Sequence, residues 1–195
     1  FSFMKDATLD MRMDQTAKKS AYDVVNNYSQ EELTNIFYKY AEEKYSKSIA
    51  KNIVKEREKG SIDTTLELVD IIKKSMPYKA MREGHPARRS FQAIRIEVNH
   101  ELDVLKIALE SAIKMLNVGG RISVITFHSL EDRIVKDMFN KYSKVDSNLS
   151  KLPFVPSEFE PKYKTVLNIT PSKEEINENS RARSSRLRVI ERIKE

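Results

Sequence analysis

A chain of 195 residues with 39% hydrophobic content is long enough for one ordinary domain, or for one domain carrying a smaller one. No run of 18 apolar residues is present, so no membrane-spanning helix is predicted, and the absence of cysteine excludes disulfides and thiolate metal sites and suits a cytoplasmic protein. The net charge of +6 is concentrated in Lys79–Arg95 (five bases, one acid) and Arg181–Glu195 (six bases, two acids), which suits an anionic partner, most commonly nucleic acid, and a merely solvated surface equally well.

The chain opens on Phe1, without an initiator methionine, and reads as a fragment of a longer protein. Residues 1–20 show little periodicity. In LDMRMD, Asp10, Arg12 and Asp14 alternate with Leu9, Met11 and Met13, which suits a short strand or an extended loop. Ser29-Gln-Glu-Glu32 is a capping box, and Leu33, Ile36, Phe37 and Tyr40 follow at helical spacing. Tyr45, Ile49 and Ile53 continue an apolar stripe as far as Gly60, a predicted C-cap. Asp63 or Thr64 then caps a short helix with Leu66, Val69 and Ile72 inward, stopped by Pro77.

Pro86 suits a helix start. From Phe91 to Leu116 apolar residues recur every three or four positions, as one long helix or two that break near Asn99. Gly119-Gly120 supply a tight turn into RISVITF, a nearly continuous apolar run that predicts a strand buried on both faces, as in a parallel sheet. A helix follows with Leu130, Ile134, Val135 and Met138 inward, and Ser129 with Asp132 has capping-box spacing at its start. Residues 143–162 read as a long loop, YKTVLNI as a strand, and Ser172–Glu175 as a second capping box. RLRVIERI, alternating basic and apolar, predicts a last strand with one solvated face. The fold class is therefore α/β. An all-helical block over 21–97 precedes what looks like the end of a doubly wound domain, without its early strands or a glycine-rich turn.

Four groups of residues carry candidate chemistry. His128 ends the RISVITF strand, at the rim where open α/β sheets bind ligands, and suits a structural or a functional role equally. Extended neighbours point to opposite sides, so His128 and Ser129 cannot form a Ser–His couple. In HPARRSFQAIR, Arg88 and Arg89 are available for phosphate while Phe91 falls in the core stripe. SRARSSRLR places Arg181, Arg183 and Arg186 on a phosphate-binding edge. Asp10, Arg12 and Asp14 form an ion-pair network or a site for acid–base work. Three scattered histidines (His85, His100, His128) offer no metal-ligand spacing, and neither a P-loop nor GxGxxG occurs.

Read in order, FSFM.D..LDMRMD, HPA.R.FQA.RI.VN.EL, GGR...I.FHSLEDRIVK and N.RARS..LR resemble one family. The chain is similar to the C-terminal two-thirds of the bacterial 16S rRNA cytosine-amino methyltransferases, RsmH or MraW, from Phe1 to Glu195. Arg88 stands where the family usually has Thr, and Ser180 where it usually has Pro. The resemblance implies a class I, Rossmann-like methyltransferase domain with an all-helical insert. It divides the chain into a loop of the methyltransferase domain (1–17), the insert (18–95) and the C-terminal part of that domain (96–195). It implies S-adenosylmethionine as cofactor, no metal, and 16S rRNA of the small ribosomal subunit as partner. The cofactor pocket would lie mostly outside this chain, so that the chain alone would be inactive. His128, Asp10 and Asp14 would be the catalytic candidates, and Arg12, Arg88, Arg89, Arg133, Arg181, Arg183 and Arg186 the RNA-binding ones. The rival readings are a non-catalytic RNA-binding module and a helical protein-interaction domain with a degenerate α/β tail.

Overall fold

A computed structural model describes residues 2–145, 149, 154, 156 and 159–195. The chain forms two compact units, Phe1–Glu101 and Leu102–Glu195.

The first unit is helical: α1 (Ala21–Asn27), α2 (Gln30–Ala41), α3 (Ser46–Arg57), α4 (Thr65–Lys74) and α5 (Ala87–Asn99), with a 3₁₀ segment at Tyr78–Glu83. Ser29 closes a complete capping box with Glu32, as its spacing predicts; of the two candidates Asp63 and Thr64 it is Thr64 that caps α4, in a complete box with Glu67, and Ser20 does the same with Asp23. α3 ends at Arg57, ahead of Gly60. Leu33, Ile36 and Phe37 of α2, Ile49 and Ile53 of α3, and Leu68, Val69 and Ile72 of α4 meet Phe91 and Ile94 of α5 in one core. Leu66, predicted to face inward, is exposed because α4 turns its Leu68–Ile72 stripe to the core instead. The N-terminal segment belongs to this core. Leu9 and Met11 are buried in it, and a single bridge joins Thr8 to Thr64.

α5 stops at Asn99 because His100 takes a left-handed backbone (φ 51°), which breaks the predicted long helix where the sequence suggests. α6 (Glu101–Met115) resumes at once. The second unit then holds β1 (Arg121–Thr126), α7 (Ser129–Ser143), β2 (Tyr163–Ile169), α8 (Lys173–Glu178) and β3 (Arg186–Arg192). The loop predicted over 143–162 lies mostly outside the described residues.

The sheet order is β1-β3-β2, and β3 is antiparallel to both neighbours. The expectation of a parallel-sheet strand at RISVITF is thereby corrected: among the described residues β1 pairs antiparallel to β3, which is central, and on one side only. Nor is β1 buried on both faces. Ile122 and Val124 pack with Leu109 and Ile113 of α6, Val135 and Phe139 of α7, Tyr163 and Ile190. Ile125, of opposite parity, is 59% exposed. One strand face is covered by helices and the other is open, so an apolar run stood for a half-buried strand.

β3 needs a second correction. Its arginines were expected on a solvated face. In the register observed, Arg188 and Arg186 oppose Val124 and Thr126, on the helix-covered side with Ile190. Arg188 is buried there, its guanidinium forked onto Asp132 of α7 at 2.7 and 2.9 Å.

Candidate functional site

In the first unit the predicted residues Asp10, Arg12 and Asp14 fall in one hydrogen-bonded loop. Arg12 Nε and a terminal nitrogen donate to the two oxygens of Asp10 at 2.7 and 2.9 Å. Its other terminal nitrogen donates to the carbonyls of Gln15 and Ala17. Most of the guanidinium donors thus serve the loop itself. The Arg12 hydrogen bond holds the Asp10 carboxyl below its ordinary range, and the Thr16 hydroxyl and amide do the same for Asp14. Asp14 is exposed, whereas Asp10 is half-buried. Both are acceptors at neutral pH, and neither is a proton donor.

The loop is fastened from α5. Asn99 Nδ2 donates to the Met11 carbonyl at 2.8 Å, and the Met13 amide donates to Asn99 Oδ1 at 2.7 Å. Between these bonds Met11 is buried with φ 59°, a left-handed conformation uncommon for a non-glycine residue. Packing and the Asn99 clasp together over-determine it. Sequence reasoning passes over Asn99 except as a helix break; the signal available was a side-chain amide at the end of an amphipathic helix. A second network ties the same region. Tyr28 and Lys19 both bond Glu97 Oε1, at 2.6 and 2.9 Å. Burial opposes the Lys19 charge, but the bonds to Glu97 and Tyr28 outweigh it and raise its pKa.

Arg88 and Arg89, at the N-terminus of α5, are both exposed. Pro86 is the N-cap of their helix, and just before it His85 accepts from the Ala87 amide at Nδ1 and stacks its ring on Phe3 at 4.4 Å. Phe91, predicted as core, is buried and meets Phe3 edge-on.

In the second unit the β1–α7 junction departs from the expected cap. His128, not Ser129, is the N-cap residue: its Nδ1 accepts from the Glu131 amide at 3.3 Å, and Glu131 Oε2 accepts from the amides of Phe127 and His128. Ser129 is exposed within the helix. The capping box is shifted by one residue because β1 ends at Thr126, so the extended backbone a cap requires falls on His128 (φ −144°). Asp132, released from the predicted cap, pairs with Arg188 and lies 3.5 Å from the Thr126 hydroxyl. The Arg188 hydrogen bond holds its carboxyl below the ordinary range.

His128 is half-buried. Acceptance at Nδ1 puts the proton of the neutral ring on Nε2, which lies 3.4 Å from Glu131 Oε1. Its ring is held in one orientation at the strand end by the cap, with Nε2 buried. Arg133 is exposed one turn into α7. Arg181 and Arg183 are exposed on a 3₁₀ segment (Ser180–Ser184) that Asn179 starts through its side chain, and Arg186 is half-buried at the head of β3. The second unit therefore gathers His128 and Arg133 on one element boundary and the three arginines on another. The first unit gathers Asp10, Arg12 and Asp14 in the clasped loop and the remaining two arginines on α5.

No helix among the described residues is long and apolar enough to cross a membrane. The family model described as the MraW methylase family matches residues 1–193 of the chain.

Proposed function

The chain belongs to the MraW methylase family, and on that premise we propose that it serves S-adenosylmethionine-dependent methylation of the exocyclic amine of a cytidine in 16S rRNA, in the cytoplasm. The match across nearly the whole chain carries this reading. The exposed arginines Arg88, Arg89, Arg181 and Arg183, with Arg133 and Arg186, support it, since planar forked donors suit phosphate. The first unit is read as the helical insert of a Rossmann-like domain and the second as that domain's C-terminal part.

The cytosine amine is a weak nucleophile, because its lone pair is delocalised into the ring. Its reaction needs in-line placement and acceptors for its protons as charge develops. The carboxylates of Asp10 and Asp14 are the candidates for accepting those protons, and His128, whose Nδ1 already accepts from the Glu131 amide, is the candidate for placing the substrate. S-adenosylmethionine supplies the methyl group. The chain's own glycines do not fit a cradle for it: Gly119 and Gly120 precede β1, while Gly60 and Gly84 lie between helices. None stands at a strand-to-helix turn. We therefore read the cofactor's main contacts as lying outside these residues, and this chain alone as an RNA-binding part without turnover.

The test is twofold. Small ribosomal subunits with unmethylated rRNA, incubated with the chain, should bind it and receive no label from S-adenosylmethionine. Calorimetric titration of the cofactor should give no heat. Cofactor binding at ordinary affinity would overturn the assignment of its contacts. Labelling of a base atom other than a cytidine amine by the full enzyme would overturn the reaction.

A further inference from the structure

One exposed face in the helical unit is basic without being marked by any of the motifs above. α3 carries Lys47, Lys51 and Lys55 at intervals of four, all exposed, and no acid occurs from Lys44 through Lys55. At about 1.5 Å rise per residue, their stems leave the helix about 6 Å apart along one line. The opposite face, Ile49, Ala50 and Ile53, is in the core. Ser48 and Asn52, on the flank, bond Ser75 at the end of α4. The lysine line is the side turned to water.

Three lysines of this unit have acidic partners: Lys19 with Glu97, Lys59 with Glu56 and Lys73 with Asp70. Among the described residues no ion pair engages Lys47, Lys51 or Lys55. The arrangement weakens its own helix. Like charges four apart repel, and Lys47 in the first turn opposes the helix dipole. α1, α2 and α4 each have a capping box and an acid in the first turn, whereas α3 has neither, and its N-cap Tyr45 makes no side-chain bond. Of the three, only Lys55, in the last turn, is favoured by the helix dipole.

We infer that the Lys47–Lys51–Lys55 face of α3 tracks the sugar–phosphate backbone of RNA, one ammonium to each of three neighbouring phosphates. The inference rests on the RNA reading proposed above and adds to it a surface in the helical unit. Lysine is a point charge without the arginine fork, so this face sets affinity and register and carries no sequence preference. Base recognition falls to other residues.

The experiment compares the full chain with K47Q/K51Q/K55Q, binding a single-stranded oligoribonucleotide by fluorescence anisotropy in rising potassium chloride. Three lost phosphate contacts should reduce the slope of log K against log salt by about 2, at about 0.7 per contact. K47R/K51R/K55R should keep the slope, and circular dichroism should show both variants folded, since glutamine and arginine suit exposed helix positions as well as lysine does. An unaltered slope in the glutamine variant, with RNA still bound, overturns the α3 surface and leaves the RNA reading standing. Failure of the unaltered chain to bind RNA overturns both. Binding of polyglutamate to the unaltered chain as tightly as RNA, lost equally in the glutamine variant, makes the occupant an acidic polypeptide and overturns RNA.

Discussion

The Asp132–Arg188 pair offers a direct test of how the second unit is held together. Replacing Asp132 by Ala strands a guanidinium whose side chain is 8% exposed. Breaking a buried pair costs about 3–5 kcal/mol, because the remaining charge is left without compensation. Asp132 is 24% exposed, so water reaches the gap and the expected loss is about 2–3 kcal/mol. Amide hydrogen exchange along β3 reads this locally, which avoids treating a two-unit chain as one transition. Exchange of the ladder-bonded β3 amides should speed up about 30- to 150-fold. In D132A/R188M both charges are gone and an apolar side chain fills the site, so stability should return to within about 1 kcal/mol of the original. The refuting result is a D132A penalty that persists undiminished in the R188M background. Asp132 would then act through the start of α7, as the sequence spacing suggests, and not through the ion pair. The pH dependence follows with a definite sign. The Arg188 hydrogen bond lowers the Asp132 pKa from its ordinary 3.8, so the contribution is fully present above that value. It is lost as pH falls through the lower folded value.

Three further outcomes are expected. His128→Ala should cost about 1 kcal/mol through loss of the N-cap and His128→Asn much less, while Ser129→Ala stays within about 0.5 kcal/mol, as read from protection of the first-turn amides of α7; equal costs at 128 and 129 would contradict the shifted cap. Burial, with a smaller effect from Lys73, lowers the His85 pKa from its ordinary 6.5, so the unfolded chain takes up the proton first. The first unit should therefore lose stability as pH falls from about 6.5 through the lower folded value, and urea midpoints of H85N should lack this component. Asn99→Ala should free the Met13 amide to exchange and cost about 1–3 kcal/mol, since a half-buried carbonyl and amide lose their partner; protection retained at Met13 would show that packing of Met11 alone holds the loop.

Much of this molecule is legible locally. Capping at Ser29 and Thr64, the break near Asn99, the strand at 163–169 and the core stripe through Ile49, Ile53 and Phe91 follow from side chains acting on backbone within a turn or two. The charge clusters at 88–89 and 181–183 are exposed, as arginines without an acidic neighbour tend to be. The motif order also identified the family, because four separated patterns seldom coincide.

What the sequence could not supply depends on partners distant along the chain. The run RISVITF is equally apolar whether one face or two are covered, and only the placement of α6 and α7 on the same side left Ile125 in water. The polarity of the sheet is likewise non-local: β3, last in the chain, pairs between the other two strands, and that register turns Arg188 toward Asp132. With Asp132 committed to that pair and β1 ending at Thr126, the cap passed to His128. Asn99 binds residues 86 and 88 positions earlier, a clasp that no window along the sequence contains. Local hydrogen bonding and periodicity were fixed by neighbours in the chain. Which face is covered, and which charge finds its partner, was decided by long-range packing.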